Sequence, residues 1–190
     1  MKKELDKQLV EKYPKIFRDR YAPMNRTAMC WGFEHGDGWY NIIDQMCANI
    51  QHHINHTRKQ RAEALVYNRA LSRAIKGDFS TFNRLPKWQQ KWLGEALEDP
   101  EPQLKIVPDA CPQVVASQVK EKFGTLRFYY NGGDEVVDGI ERMAESMSAV
   151  TCEDCGAPGK CRTGGWIRTL CDTHAVDRGQ SEEIVWEDLP

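Results

Sequence analysis

Cys152-x2-Cys155 and, after a gap of fifteen residues, Cys171-x2-His174 form two ligand pairs with the internal spacing that zinc demands. Two residues between ligands let one tight turn aim both side chains at a single ion. Gly156, directly after the first pair, permits the backbone conformation such a turn requires. Three thiolates and an imidazole are soft or borderline donors that favour tetrahedral Zn²⁺ over hard cations. Four protein donors close the coordination sphere and leave no position for an activated water, so the expectation is one structural zinc ion and no chemistry at the metal. So short a segment buries little apolar surface alone, and metal-coupled folding free energy of about 10 kcal/mol or more supplies what it lacks. Cys161 is an alternative ligand in place of one of the four, although its Gly-Lys-Cys-Arg-Thr-Gly-Gly surroundings read as a hairpin arm. A redox role for Cys-x2-Cys would want a βαβ context, which is missing.

Phosphate is the next chemistry the residues could address. Segment 51–91 carries nine basic residues, Arg58, Lys59, Arg61, Arg69, Arg73, Lys76, Arg84, Lys87 and Lys91, against Glu63 and Asp78, a local charge of +7. With a formal net charge of −2, the rest of the chain totals −9. Arg69, Arg73 and Lys76, joined by Lys160, Arg162 and Arg168 of the cysteine module, make a candidate nucleic-acid surface, and Trp88 and Trp92 could stack on unpaired bases. The competing reading is a solvated helix face with the tryptophans as a buried seam. No base-reading motif decides between them.

Other sites are weaker. Pro108-Asp109, followed by Gln118-x-Lys120, echoes the metal-binding pattern of magnesium-dependent nucleases, but the acidic ligand expected upstream is not identifiable. His52, His53 and His56 lie near the end of one predicted helix, with His52 and His56 one turn apart, yet no glutamate follows in a metalloprotease arrangement, so surface histidines are expected. Cys47 falls on an apolar stripe, and Cys30 and Cys111 stand in no nucleophile motif. An enzyme is therefore not the favoured class.

The elements that must position these residues belong to a chain of 190 residues with 26 basic and 28 acidic side chains and 41% apolar content, enough for one domain or a domain plus a small module. Apolar runs reach only a few residues, so no membrane helix is expected. The opening Met1-Lys2-Lys3-Glu4-Leu5-Asp6 has no apolar core behind its lysines, so no secretory signal is expected. A cytoplasmic protein with seven reduced cysteines is the expectation.

Leu5, Leu9, Tyr13 and Phe17 predict a first helix. Three glycines among large aromatics at 30–40 predict tight, packed turns. Apolar positions from Trp39 to Ile54 predict a second helix, and a third follows from Arg58 to Lys76, ended by Gly77. Pro86 opens a helix with Trp88, Trp92 and Ala96 inward, and Glu98-Asp99-Pro100-Glu101-Pro102 is the clearest linker. Residues 113–120 and 125–130 predict a β-hairpin across Gly124. Val136, Ile140, Met143 and Met147 predict a helical stripe starting after Asp134. The expected fold is α+β: an α+β domain over 1–148, with the basic helical segment 51–98 inside it, a zinc finger module over 149–176, and an acidic tail over 177–190.

Trp31-Gly32-Phe33-Glu34 with Gly36-Asp37-Gly38-Trp39, the stretch Val119 to Tyr129, Cys152-x2-Cys155-Gly156, and Gly165 to Cys171-x2-His174 together resemble small bacteriophage and prophage proteins of uncharacterised function. The cysteine module also resembles a treble-clef or zinc-ribbon finger, with a knuckle at Cys152–Gly156, a hairpin to Leu170 and a ligand pair near a helix start. The resemblance implies phage origin and a metal, with no reaction attached. The leading expectation is a non-enzymatic accessory protein that binds a host or phage macromolecule, more readily a protein than nucleic acid, and inhibits a host defence or host process. A nucleic-acid-binding protein and a magnesium-dependent nuclease are the alternatives.

Overall fold

A computed structural model describes residues 1–163 and 165–180. The order of elements is α1 (Lys3–Lys12), β1 (Phe33–Glu34), α2 (Tyr40–Ala74), α3 (Lys87–Leu97), β2 (Val115–Lys122), β3 (Thr125–Asn131), α4 (Glu135–Ser148), β4 (Lys160–Arg162), β5 (Arg168–Leu170) and α5 (Asp172–Asp177). This is the α+β class the sequence predicts. Two compact units divide the chain: residues 1–53 with 112–190, and residues 54–111, so the boundary falls within α2. No helix among the described residues is long and apolar enough to cross a membrane.

In the first unit, β2 and β3 form the predicted hairpin, and β1 adds to β2 in parallel, with Phe33 opposite Val119. The hairpin turns at Phe123 and Gly124, both with positive φ, the backbone of a type I′ turn that matches strand twist. Phe17 packs edge-on against Phe33 (5.0 Å) and Phe128 (6.4 Å), and joins Leu9, Ile16, Met29, Ile43 and Val119 in the buried core. The first helix is shorter than its apolar spacing predicts: α1 stops at Lys12, just before Pro14, and tight turns carry Ile16 and Phe17 inward. Two ion pairs fix this corner: Arg20 forks onto Asp6 (2.7 Å), both little exposed, and the half-exposed Lys12 meets Asp44 (2.7 Å), which also accepts from the Tyr13 hydroxyl (2.8 Å).

The second unit has its own small core, Tyr67, Ala70, Leu71, Ala74, Leu85 and Leu93. Three expectations need correcting. The helices predicted over 39–54 and 58–76 are one helix of 35 residues, because nothing between Ile54 and Arg58 removes a backbone donor or relaxes φ. On α3 Leu93 is the buried residue and the predicted Ala96 packs against the same core, while Trp88 and Trp92 are 49% and 53% exposed. On α4 the buried positions are Val137, Ala144 and Ser148; of the predicted stripe, Val136, Met143 and Met147 lie exposed and Ile140 is half-buried. The predicted start of α4 is right: the Asp134 carboxylate accepts the backbone N–H groups of Val136 and Val137.

Candidate metal centre

The carboxyl-terminal module is built in the expected order of knuckle, hairpin and short helix. Gly156 takes φ +79, which lets its N–H reach back to the Cys152 carbonyl (2.9 Å) and folds Cys152 and Cys155 toward one point. Antiparallel β4 and β5 place Cys161 opposite Thr169 and return the chain to Cys171. Cys171 then caps α5, whose first turn presents His174. Leu170, Ala175 and Cys152 make a small buried core beneath.

One donor atom from each of Cys152, Cys155, Cys171 and His174 lies within 4.8 Å of all the others, so these residues can hold a metal ion. Metal–sulfur bonds of about 2.3 Å and a metal–nitrogen bond of about 2.0 Å give tetrahedral edges of about 3.8 Å between sulfurs and about 3.5 Å from sulfur to nitrogen. The observed spacings are 3.9 Å from Cys155 Sγ to Cys171 Sγ, 3.6 Å from Cys152 Sγ to His174 Nδ1 and 3.1 Å from Cys171 Sγ to His174 Nδ1. Backbone donors favour thiolates here. The His174 N–H, against some burial, holds the Cys171 thiol down at about 7. At Cys155 the Ala157 N–H acts in the same direction, but burial and the neighbouring Cys152 and Cys171 thiols outweigh it and leave that thiol raised. The donor set is consistent with zinc. Cys161 stands apart from it: buried on β4, its thiol is raised by that burial.

The knuckle is fastened to a distant stretch of sequence. Gly38 N–H donates to the Glu153 carbonyl (2.7 Å), Gly36 N–H donates to Glu153 Oε1 (2.9 Å), and the buried Trp39 donates its indole N–H to the Thr151 carbonyl (2.8 Å). A Cβ at Gly38 would fall 2.2 Å from the Cys152 carbonyl oxygen and 2.4 Å from Gly156 N; one at Gly36 would fall 2.3 Å from the Glu153 carbonyl oxygen. Only glycine fits at either place. Glu153 N–H in turn donates to the Thr169 carbonyl (2.9 Å), so one residue joins the knuckle, the Gly36–Trp39 turn and β5. Sequence reasoning placed Gly36 and Gly38 in tight turns and did not connect them to the cysteines. The signal available was two glycines two residues apart ahead of a tryptophan.

His35 lies beside this fastening, with its ring tilted against Trp39 (5.7 Å) and edge-on to Phe33 (6.0 Å). Burial pushes its pKa down to about 4, overcoming the Gly36 carbonyl at Nδ1, and the amino-terminal ammonium adds to the depression.

The other candidate residues are scattered over the surface or already engaged. Arg69, Arg73 and Lys76 are exposed, with Arg73 paired to Asp78 (3.0 Å) and donating to Thr81 (3.0 Å). Lys160 is exposed on β4, whereas Arg162, 5% exposed, is taken up by Asp172 and the Leu170 carbonyl. Arg168 lies 3.7 Å from the buried Glu153 carboxylate. Of the nuclease pattern, Asp109 pairs with Arg61 (3.3 Å), Gln118 donates to Glu34 (3.2 Å) and Lys120 lies over the Tyr129 ring (5.6 Å). His52 and His56 are exposed as expected, whereas His53 is half-buried, with Nε2 2.8 Å from the Asp134 carboxylate that caps α4. Cys47 is fully buried on α2, its thiol pushed far up by that burial. In the acidic segment, Arg178 forks onto Asp154 (2.7 and 2.8 Å) and Gln180 is buried; positions 181–190 lie outside the described residues.

No family model matches the chain, and neither a curated protein nor a solved structure matches it.

Proposed function

We propose that the protein is a non-enzymatic binding protein. One structural zinc ion on Cys152, Cys155, Cys171 and His174 rigidifies the module, which braces an apolar tip that recognises a host or phage protein. The observation that carries this reading is the tip itself. Phe123 and Trp166 are 62% and 66% exposed and, with Gly165 and Ile167, line a shallow cleft of about 200 Å³. Phe123 holds φ +54, a left-handed conformation that costs a side-chain-bearing residue about 1–2 kcal/mol. Such strain at an exposed aromatic is more readily explained by recognition than by packing.

The hairpin tip and the module are tied together. Thr169 Oγ1 donates to the Gly124 carbonyl (2.7 Å), Trp166 Nε1 donates to Glu121 Oε2 (2.7 Å), and Gln180 donates to the Trp166 carbonyl. A metal that fixes β5 therefore fixes the surface on which Phe123 and Trp166 stand. A closed Cys3His sphere supports a scaffold role and offers no site for an activated water. Inhibition of a host defence or host process fits a protein of this kind.

The test is affinity capture from host lysate with the full chain and with a Phe123→Ser, Trp166→Ser double variant, both confirmed to carry zinc. The proposal expects a stoichiometric protein partner, retained after nuclease treatment, that the double variant loses. No such partner, or equal capture by the double variant, contradicts it.

A further inference from the structure

Unit 54–111 carries an aromatic cleft of about 290 Å³ on α2 and α3. Its floor is Tyr67, 8% exposed, and its wall is the edge-to-face pair Trp88 and Trp92, centroids 5.2 Å apart. Glu63 and Gln60 line the rim. Two half-exposed tryptophans over a buried tyrosine forgo a large gain in apolar burial, which is unusual for a helix with a core beside it.

The cleft already contains a cation. Lys105 Nζ sits 4.0 Å from the Tyr67 ring centroid and 5.6 Å from that of Trp92, within cation–π range of both. Its backbone is clamped twice by one amide: Asn68 Nδ2 donates to the Lys105 carbonyl and Lys105 N–H donates to Asn68 Oδ1, both at 2.8 Å. Further along, Arg61 donates to the Pro108 carbonyl (2.9 Å). Residues 103–108 thus run antiparallel along α2 as an irregular segment whose main chain is held by α2 side chains, with its lysine delivered to the aromatic faces, in the manner of a bound peptide.

We propose that this cleft is an organic-cation site, occupied in cis by Lys105, and that its ligand is an alkylated ammonium group such as the trimethylammonium of a methylated lysine or of a choline head group. A primary ammonium is strongly hydrated and gives up much of its hydration to sit on a ring. An alkylated one is weakly hydrated and gains from every aromatic face it touches, which is why aromatic cages select quaternary ammonium ligands. The Glu63 carboxylate, which also lies 3.9 Å from Lys59 Nζ, lines the cleft and adds attraction for a cation. Displacing Lys105 removes the one positive charge that would repel the ligand from within the cage, so the lysine sets the threshold for binding.

The test follows the indole N–H signals of Trp88 and Trp92 by NMR in the full chain during titration with tetramethylammonium chloride, against sodium chloride at matched ionic strength. Saturable shifts at both indoles are expected, with the dissociation constant falling about tenfold in Lys105→Ala. The Trp88 response should be lost in Trp92→Leu, a half-exposed position whose change leaves the Leu93 core in place. Parallel titrations with choline and with a trimethyl-lysine peptide identify the source by the tighter of the two. Linear, non-saturating shifts in Lys105→Ala, or a Trp88 response that survives Trp92→Leu, would overturn the proposal. So would shifts produced by oligothymidylate and not by ammonium, which would reassign the tryptophans to base stacking.

Discussion

Gly38 and Cys152 meet backbone to backbone: a Cβ on the glycine would stand 2.2 Å from the cysteine's carbonyl oxygen. Residues 114 positions apart are thus in van der Waals contact through main chain alone. The contact makes the Gly36–Trp39 turn the seat on which the ligand-bearing knuckle rests.

Replacing that glycine tests the seat. Gly38→Ala is expected to lower unfolding free energy by at least about 2 kcal/mol, because backbone on both sides leaves no flexible group to yield. Chelator competition should show weaker zinc retention in the same variant. Gly94→Ala, where the new methyl meets nothing within 4 Å, serves as the control and should be neutral or slightly stabilising. Equal behaviour of the two variants, measured by denaturant melts, would contradict the docking.

Cys161 separates the two possible ligand sets. Cys161→Ala should keep one zinc per chain and lose only the stability of a small buried side chain, about 1 kcal/mol. Cys155→Ser, at an exposed position, should lose zinc affinity by orders of magnitude. Metal content with a colorimetric chelator reads both.

His35 should give the fold an acid-sensitive component. Its folded pKa of about 4 lies below the ordinary 6.5, so between those values the unfolded chain binds the extra proton. The stabilisation is fully present above pH 6.5 and is lost as pH falls toward 4, about 3 kcal/mol in all. His35→Phe should flatten this part of the stability profile, measured as the difference between variant and parent so that acid release of metal from both cancels. A parallel pair of profiles from pH 7 to 4.5 would contradict the neutral, buried histidine.

The hairpin turn offers a trade. Phe123→Asn places the preferred residue at the first position of a type I′ Asn-Gly turn and is expected to raise stability by about 0.5–1 kcal/mol. Under the proposed function it also removes half of the aromatic tip, so partner capture should fall as the melting temperature rises. A loss of stability in thermal melts would mean that Phe123 is held by packing rather than kept against strain.

The Cys3His cluster was legible in sequence because each pair is local: two residues and one turn decide where both donors point. The Asp134 cap and the Gly124 turn were legible for the same reason. What a helix buries was less so. Trp88 and Trp92 continue the stripe of Ala96 as regularly as Leu93 does, and the small core that Leu93 shares with Leu71, Leu85 and Tyr67 took in Leu93 and Ala96 and left the tryptophans half exposed. Val136, Met143 and Met147 failed in the same way, one residue away from the true inner face of Val137, Ala144 and Ser148. Strand β1, two residues long, has no periodicity to detect; it exists because Phe33 and Glu34 pair with Val119 and Lys120, 86 positions further along the chain. The Gly38–Cys152 contact is still more remote, and glycines alone say that something comes close without saying what.

Zinc stoichiometry after exhaustive desalting is the most direct measurement of the central claim. One zinc ion per chain, lost together with near-ultraviolet circular dichroism when a strong chelator is added and restored on readdition, is the predicted result. Protein that carries no zinc yet melts cooperatively, or that keeps its zinc when Cys171 and His174 are both replaced by alanine, would contradict the account.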